Sequence, residues 1–428
     1  MEKTNYTVED FYAFKIKNMW SYFKGQHFSF WMICCYLFVE FVRPQSIIPA
    51  LDFLPWAMLF ILFAAIGAFM DPTVKWVSSA ANKLMFCFLL LIVISIIFAQ
   101  YPDISKQEFS QFFNWFLIYF LIINIVNTKE RFYIFLMVFL VSSAKIAIGT
   151  SKNWAMRGFS FSSWGLTGPP GFFQNSGELA ILMLVLFPLA FYLYQSLKGR
   201  VSKWERWFLI LCWICPILTI LGASSRGAQV ALVVQLAIMF RKSIFKIKPL
   251  VGVIVLCTAL FYLLPQEQKD RFSSSGDDKT SQQRLLYWEN GWEMMKDHPF
   301  TGVGFFNFIP YYEDYYRQDM LYPRAQLPHN IFIQVGTDAG FIAVVMLALL
   351  IIYSVGTAWK ISVNKFFDPE AKAIAVGLGF GVLGFSIAGQ FVTVTYYPFL
   401  WISLSFIVSL GSIELNYRRK DNISNRSL

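Results

Sequence analysis

Three residues have side chains whose chemistry suits more than packing. Arg226 lies in the run Gly222-Ala223-Ser224-Ser225-Arg226-Gly227, just before an apolar stretch. Small residues there let a ligand approach a helix N-terminus beside a permanently charged guanidinium, which makes an anion site. The plainer reading is an arginine snorkelling to a membrane interface; both stay open. Arg284 stands one helical turn before Trp288 and, taken alone, reads as a solvated face residue. His329 is one of only three histidines and follows Pro328 in Pro328-His329-Asn330-Ile331-Phe332, where a polar stretch meets an apolar one. With an ordinary pKa of about 6.5, an imidazole there suits proton transfer. An interfacial histidine with a satisfied hydrogen bond is the alternative. His27 and His298 read as ordinary.

Other polar residues need less. Asp338 lies nine residues beyond His329, about 180° round a helix, and reads as packing or pairing inside a bundle. Glu178 suits the positive end of a helix dipole. Lys145 either snorkels or lines a cavity. The glycines of Gly377-Leu378-Gly379-Phe380-Gly381 and Gly384 permit close helix packing. No metalloprotease, dinucleotide or phosphate-loop motif occurs, and three histidines cannot build a His-rich metal site. The six cysteines fall in apolar runs and read as reduced, small hydrophobes.

The elements that must position these residues follow from composition. The 428 residues are 57% hydrophobic and 14% charged, against about one quarter charged in a soluble domain. The fold class expected is an all-α polytopic membrane protein with about twelve transmembrane helices and one large periplasmic loop containing short helices. A secreted disulfide scaffold, a disordered chain and a soluble α/β enzyme are excluded. Apolar spans are read at 28–42, 51–70, 83–99, 109–126, 131–149, 177–197, 205–221, 227–240, 248–265, 329–358, 371–393 and 397–413.

The charge of +10 fits the positive-inside rule rather than nucleic-acid binding. With the N-terminus inside, twenty-three of the 36 basic residues fall on cytoplasmic segments, so an even number of spans is expected. Residues 1–27 form a cytoplasmic lead-in without a cleavable signal, 28–265 a bundle of about nine helices, and 329–413 the last three. Residues 414–428 are a cytoplasmic tail. Between them, residues 266–328 form an acidic outer loop. Its middle is expected to be helical, with a Thr280–Gln283 capping box, an apolar face of Leu285, Trp288, Trp292 and Met295, and Pro299 ending the helix. A loop this long is usually functional. No internal repeat or low-complexity segment occurs.

Four segments, in order, resemble the O-antigen ligase and polymerase family. They are Gly171-Phe172-Phe173-Gln174-Asn175-Ser176, Ser225-Arg226-Gly227, the run from Trp292 through His298-Pro299-Phe300-Thr301-Gly302-Val303-Gly304 to Phe308, and His329-Asn330-Ile331-Phe332-Ile333-Gln334-Val335-Gly336-Thr337-Asp338-Ala339-Gly340-Phe341. The likeness covers roughly residues 160–345. Phe41-Val42-Arg43-Pro44-Gln45 is similar to the exosortase-associated O-glycosylation ligase branch.

That resemblance implies a glycosyltransferase of the bacterial inner membrane, without metal or nucleotide cofactor. It would move a glycan from undecaprenyl diphosphate to a lipid or protein acceptor on the periplasmic side, among membrane lipids and without nucleic acid. Arg226 and Arg284 would hold the diphosphate, and His329 would take the acceptor hydroxyl's proton. Inversion at the anomeric carbon in one displacement would be expected. A polymerase, with a second lipid-linked repeat unit as acceptor, remains the alternative. A transporter or flippase would more often show repeats, broken helices and midplane charges.

Overall fold

A computed structural model describes residues 6–11, 15–160, 165–241 and 278–424, and its regular structure among them is helical. An amphipathic helix α1 (Ile16–Lys24) leads to α2 (Phe28–Val42), α3 (Trp56–Met70), α4 (Ala80–Ile97) and α5 (Ser110–Ile125). These are followed by α6 (Lys129–Met156), α7 (Ser176–Leu197), α8 (Lys203–Gly222) and α9 (Arg226–Met239). The later helices are α10 (Lys279–Asp297), α11 (Phe308–Tyr315), α12 (Ile331–Val363), α13 (Pro369–Ala388) and α14 (Pro398–Ser424).

Among the described residues eight helices are long and apolar enough to cross a membrane: α4, α5 with the turn from Pro102, α6 to α8, and α12 to α14. Shorter apolar helices are α2, α3 and α9. The protein is therefore a multi-pass membrane protein. The expected span at 248–265 and residues 266–277 of the expected loop lie outside the described residues.

Several boundaries differ from the sequence reading, each for a local reason. The span expected at 51–70 starts only at Trp56, because Pro49–Leu51 form a 3-10 turn and Pro55 precedes the helix. The span expected at 371–393 stops at Ala388 with Gly389 as its cap, so residues 389–397 form a loop before Pro398 opens α14. Helix α12 starts at Ile331, capped by Asn330, and is broken at Ala339 and Gly340, where Gly340 has φ 81°. The left-handed conformation suits glycine, and the break lets Phe341 donate to the Pro299 carbonyl at 2.9 Å.

The loop helix also starts earlier than expected. Its N-cap is Asp278, whose carboxylate accepts from the Ser281 N–H at 3.0 Å and the Ser281 hydroxyl at 2.7 Å. Gln283, expected in the capping box, instead donates to the Asp319 carbonyl at 3.2 Å. The buried face of α10 comprises Gln283, Tyr287, Asn290, Gly291, Met294 and Met295, while Leu285 and Trp292 are exposed. The expected apolar stripe is thus rotated, because Tyr287 and Met294 pack against Phe308, Tyr312 and Val303 in a small core of their own.

Close packing of α13 on α7 follows from the glycine run. A Cβ on Gly377 would fall 2.6 Å from the Leu189 Cα, and one on Gly381 would fall 3.2 Å from the Val185 Cα. Only small residues permit such an approach.

Successive helices place their ends on two opposite faces. On one, Lys129 binds Asp368 at 2.7 Å and Glu414 at 2.9 Å, and Arg131 lies 3.7 Å from Asp71. On the other, the 278–330 segment covers the helix ends. There Gln100 donates to the Val303 carbonyl at 2.9 Å and Tyr101 donates to Asn307 at 2.7 Å.

Candidate active site

Four connections meet beneath the loop segment: the α8–α9 turn, the approach to α7, the start of α12 and the 389–397 loop. The α8–α9 turn bends back at Ser224, which has φ 57°, so that Ser225 caps α9 and Arg226 is its first residue. A Cβ on Gly165 would fall 2.2 Å from the Ala223 carbonyl oxygen, so only glycine lets residue 165 lie on this turn. The Asn175 amide N–H donates to Glu178 at 3.3 Å in a capping box, and Tyr397 donates to the same carboxylate at 2.9 Å. Glu178 therefore does more than answer a helix dipole: it ties the start of α7 to the 389–397 loop.

That loop is the hub, and the span expected at 371–393 takes in its first five residues. Gly389 accepts from the Ile331 N–H at 2.9 Å, and Thr393 Oγ1 accepts from the His329 N–H at 2.8 Å. Phe391 lies against Gly227, where an added Cβ would meet its ring 2.7 Å away. Val392 lies against Gly177 in the same way. The signals for a loop were Gly389, the β-branched Val392–Thr395 run and the proline at 398.

Helix α10 brings the three singled-out side chains together. Its N-cap, Asp278, accepts from Arg226 Nη2 at 3.0 Å. Burial works to raise the Asp278 carboxyl, but hydrogen bonds from Ser281 and Arg226 outweigh it and hold the group at about 2. One and a half turns along, Arg284 is lowered from its ordinary value by burial and by the Arg226 charge, while remaining protonated. Its Nε is buried with no hydrogen-bond partner among the described residues. Further along, Trp288 donates to the Pro328 carbonyl at 2.8 Å and packs against Phe391 with ring centroids 6.3 Å apart.

His329 is half-buried, and its φ of 54° places it in the left-handed region. Burial, then the Arg284 charge, lower its imidazole from 6.5 to about 4, so it is neutral near pH 7. Nε2 faces Gln326 Oε1 at 3.3 Å. A carbonyl-type oxygen only accepts, which places the ring proton on Nε2 and the basic lone pair on Nδ1. Non-glycine residues with positive φ are Arg43, Phe159, Ser224, Phe306 and His329, all in connections on this face. Such strain concentrates at functional sites.

The remaining candidates sit apart. His27 caps α2 and lies 3.5 Å from Asp71 on the opposite face, and His298 lies 3.4 Å from the Tyr311 hydroxyl. Lys145 donates to the Val42 carbonyl at 3.3 Å. Asp338 pairs inside the fold as expected, accepting from the Phe306 N–H at 3.0 Å and the Tyr396 hydroxyl at 2.9 Å.

Residues 210–348, which carry Arg226, Arg284 and His329, match the O-antigen ligase family. Over that stretch the chain is O-antigen ligase-like. The matched stretch runs from α8 through the first part of α12 and so includes both arginines and the histidine. Residues 13–198 match a family of unknown function, which spans α1 to α7. Comparison with curated proteins gives no match.

Proposed function

We propose that the protein transfers a glycan from undecaprenyl diphosphate to an acceptor hydroxyl at the periplasmic face of the inner membrane. The observation that carries this reading is Arg284, a half-buried guanidinium whose Nε has no hydrogen-bond partner among the described residues. It feels the charge of a second guanidinium, Arg226, and of the Asp278 carboxylate that Arg226 binds at 3.0 Å. A buried donor left without a partner is costly, and a diphosphate oxygen would accept from it.

In the proposed step the acceptor oxygen attacks the anomeric carbon while its proton passes to His329 Nδ1. The anomeric carbon–oxygen bond breaks, and its electron pair stays on the diphosphate. Arg226 and Arg284 stabilise the charge that grows there; preorganised donors act best on charge that develops in the transition state. A histidine kept neutral by burial and, to a lesser extent, by Arg284 is ready to accept a proton before the reaction begins. Helix α10, with Trp288 on the Pro328 carbonyl, holds the arginine and the histidine in one frame. The polymerase reading uses the same atoms with a lipid-linked repeat unit as acceptor.

The test is transfer by purified protein in lipid nanodiscs supplied with lipid-linked oligosaccharide and candidate acceptors. Undecaprenyl diphosphate released in step with glycan transfer supports the reading. Movement of intact lipid-linked glycan across the bilayer without bond cleavage would replace it with a flippase.

A further inference from the structure

The Arg43 segment belongs to none of the chemistry above, yet it shares a cavity with the same 389–397 loop. A cavity of about 250 Å³ lies beside the 389–397 loop, with Arg43, Phe172, Phe306, Gln334, Thr393 and Tyr397 among its lining residues. It is smaller than a drug-sized pocket of ~300–1,000 Å³, which suits one sugar ring rather than a chain.

Its polar lining is incompletely satisfied. Among the described residues Arg43 gives one hydrogen bond, from Nη2 to Glu40 at 3.3 Å, and its Nε is buried without a partner. Gln334 Oε1 is likewise buried without a partner. Groups left this way in a folded interior call for an explanation. Arg43 is also held in the left-handed region at φ 52°, capping α2 and opening the turn at Pro44. Glycine or asparagine would cap there with less strain. Gly171 completes the arrangement: a Cβ on it would fall 1.9 Å from Arg43 Nη2, so its absence lets the guanidinium lie against the backbone.

We propose that this cavity binds an acidic sugar residue of the glycan acceptor, its carboxylate or phosphate on Arg43 and its ring against Phe172 and Tyr397. This rests on the transfer reading for the word acceptor, but the binding site stands on the cavity alone. Guanidinium and amide groups recognise carboxylate or phosphate and hydroxyls, and aromatic rings offer flat apolar faces. Thr393 decides which substrate. It lines the cavity and also accepts the backbone N–H of His329, so one residue links the cavity wall to the segment that carries the proposed base. Two residues earlier, Phe391 packs on Gly227 next to Arg226, where the donor diphosphate is placed.

Direct binding to the full-length protein in nanodiscs tests the site with methyl β-glucuronide and glucose 6-phosphate, against methyl glucoside as the neutral control. At least one charged sugar should bind about tenfold tighter than the glucoside. Arg43→Gln should remove that preference, Arg43→Lys should restore part of it, and Gln334→Met should weaken charged and neutral sugars alike. If Arg43→Gln does not fold, Gln334→Met and Arg43→Lys still decide. Equal binding of charged and neutral sugars, a preference that survives Arg43→Gln, or inorganic phosphate competing as well as the sugar phosphate would overturn the proposal. In transfer assays Arg43→Gln should raise the acceptor KM and leave the donor KM unchanged. A rise confined to the donor would overturn the acceptor assignment, whereas absence of transfer in the wild type would sink the transfer reading and leave the sugar-binding result intact.

Discussion

Replacing Arg284 with glutamine should separate its two proposed roles, because they leave different traces in the pH dependence of transfer. Arg284 is the smaller of two causes that take His329 from 6.5 to about 4, burial being the larger. The acid limb of kcat/KM, which reports the free enzyme's base, should therefore fall near pH 4 in the wild type. Arg284→Gln removes less than half of the depression, so the limb should rise but stay nearer 4 than 6.5. The plateau should also fall, because removing a charged donor to the leaving group costs ~2.7–4 kcal/mol of transition-state stabilisation, or ~10²–10³-fold. Arg226→Gln should lower the plateau by a similar factor without moving the limb, since Arg226 is not among the causes acting on His329. In the donor-bound protein the diphosphate offsets Arg284, so the kcat limb should lie above the kcat/KM limb. Initial rates with labelled lipid-linked glycan between about pH 3.5 and 8, a range that brackets the ordinary histidine value, would show these shifts. A wild-type limb near 6.5, or an identical limb in Arg284→Gln, would refute the electrostatic link.

Other substitutions probe the frame. Gly227→Ala places a Cβ 2.6 Å from Phe391 Cβ; overpacking of this kind costs about 1–3 kcal/mol, and thermal unfolding should register the loss together with reduced transfer. Asp338→Leu strands the Phe306 N–H and the Tyr396 hydroxyl, at about 1–3 kcal/mol for each unsatisfied group, so Tm should drop well below that of Asp338→Asn. Trp288→Phe removes the bond to Pro328; hydrogen exchange at residues 329–330 should accelerate while the donor KM stays within about twofold, because a neutral hydrogen bond contributes only ~0.5–1.5 kcal/mol. For orientation, cysteines introduced at Gln318 and Lys365 in a background without native thiols should label from opposite sides, Gln318 from the periplasm. Labelling of Gln318→Cys only from the cytoplasm would reverse the orientation.

What the sequence made legible, and what it hid, divides along physical lines. Apolar runs long enough for lipid reveal α6, α7 and α8 because a bilayer demands both length and internal hydrogen bonding. Arg226 and His329 stood out because charge and imidazole are rare beside such runs. Arg284 looked like an ordinary surface residue; its burial comes from α10 lying on the membrane-embedded helices, a tertiary fact with no local signal. The 389–397 loop was hidden because Phe391, Val392 and Val394 continue the apolar pattern of α13. A backbone hydrogen bond from a distant segment, Ile331 to Gly389, helps to compensate for ending that helix. The cap of α10 was misplaced by two residues because Asp278 and Thr280 are both good caps, and the Arg226 contact favours Asp278.

The central claim is that Arg226 and Arg284 hold a diphosphate leaving group while His329 takes the acceptor's proton. Its most direct measurement is a paired assay on His329→Ala: binding of the lipid-diphosphate donor, and single-turnover release of undecaprenyl diphosphate with acceptor present. The account predicts donor binding close to wild type and release slowed ~10²–10⁴-fold, the loss expected of a missing general base. Release at the wild-type rate, with the glycan transferred, would contradict it.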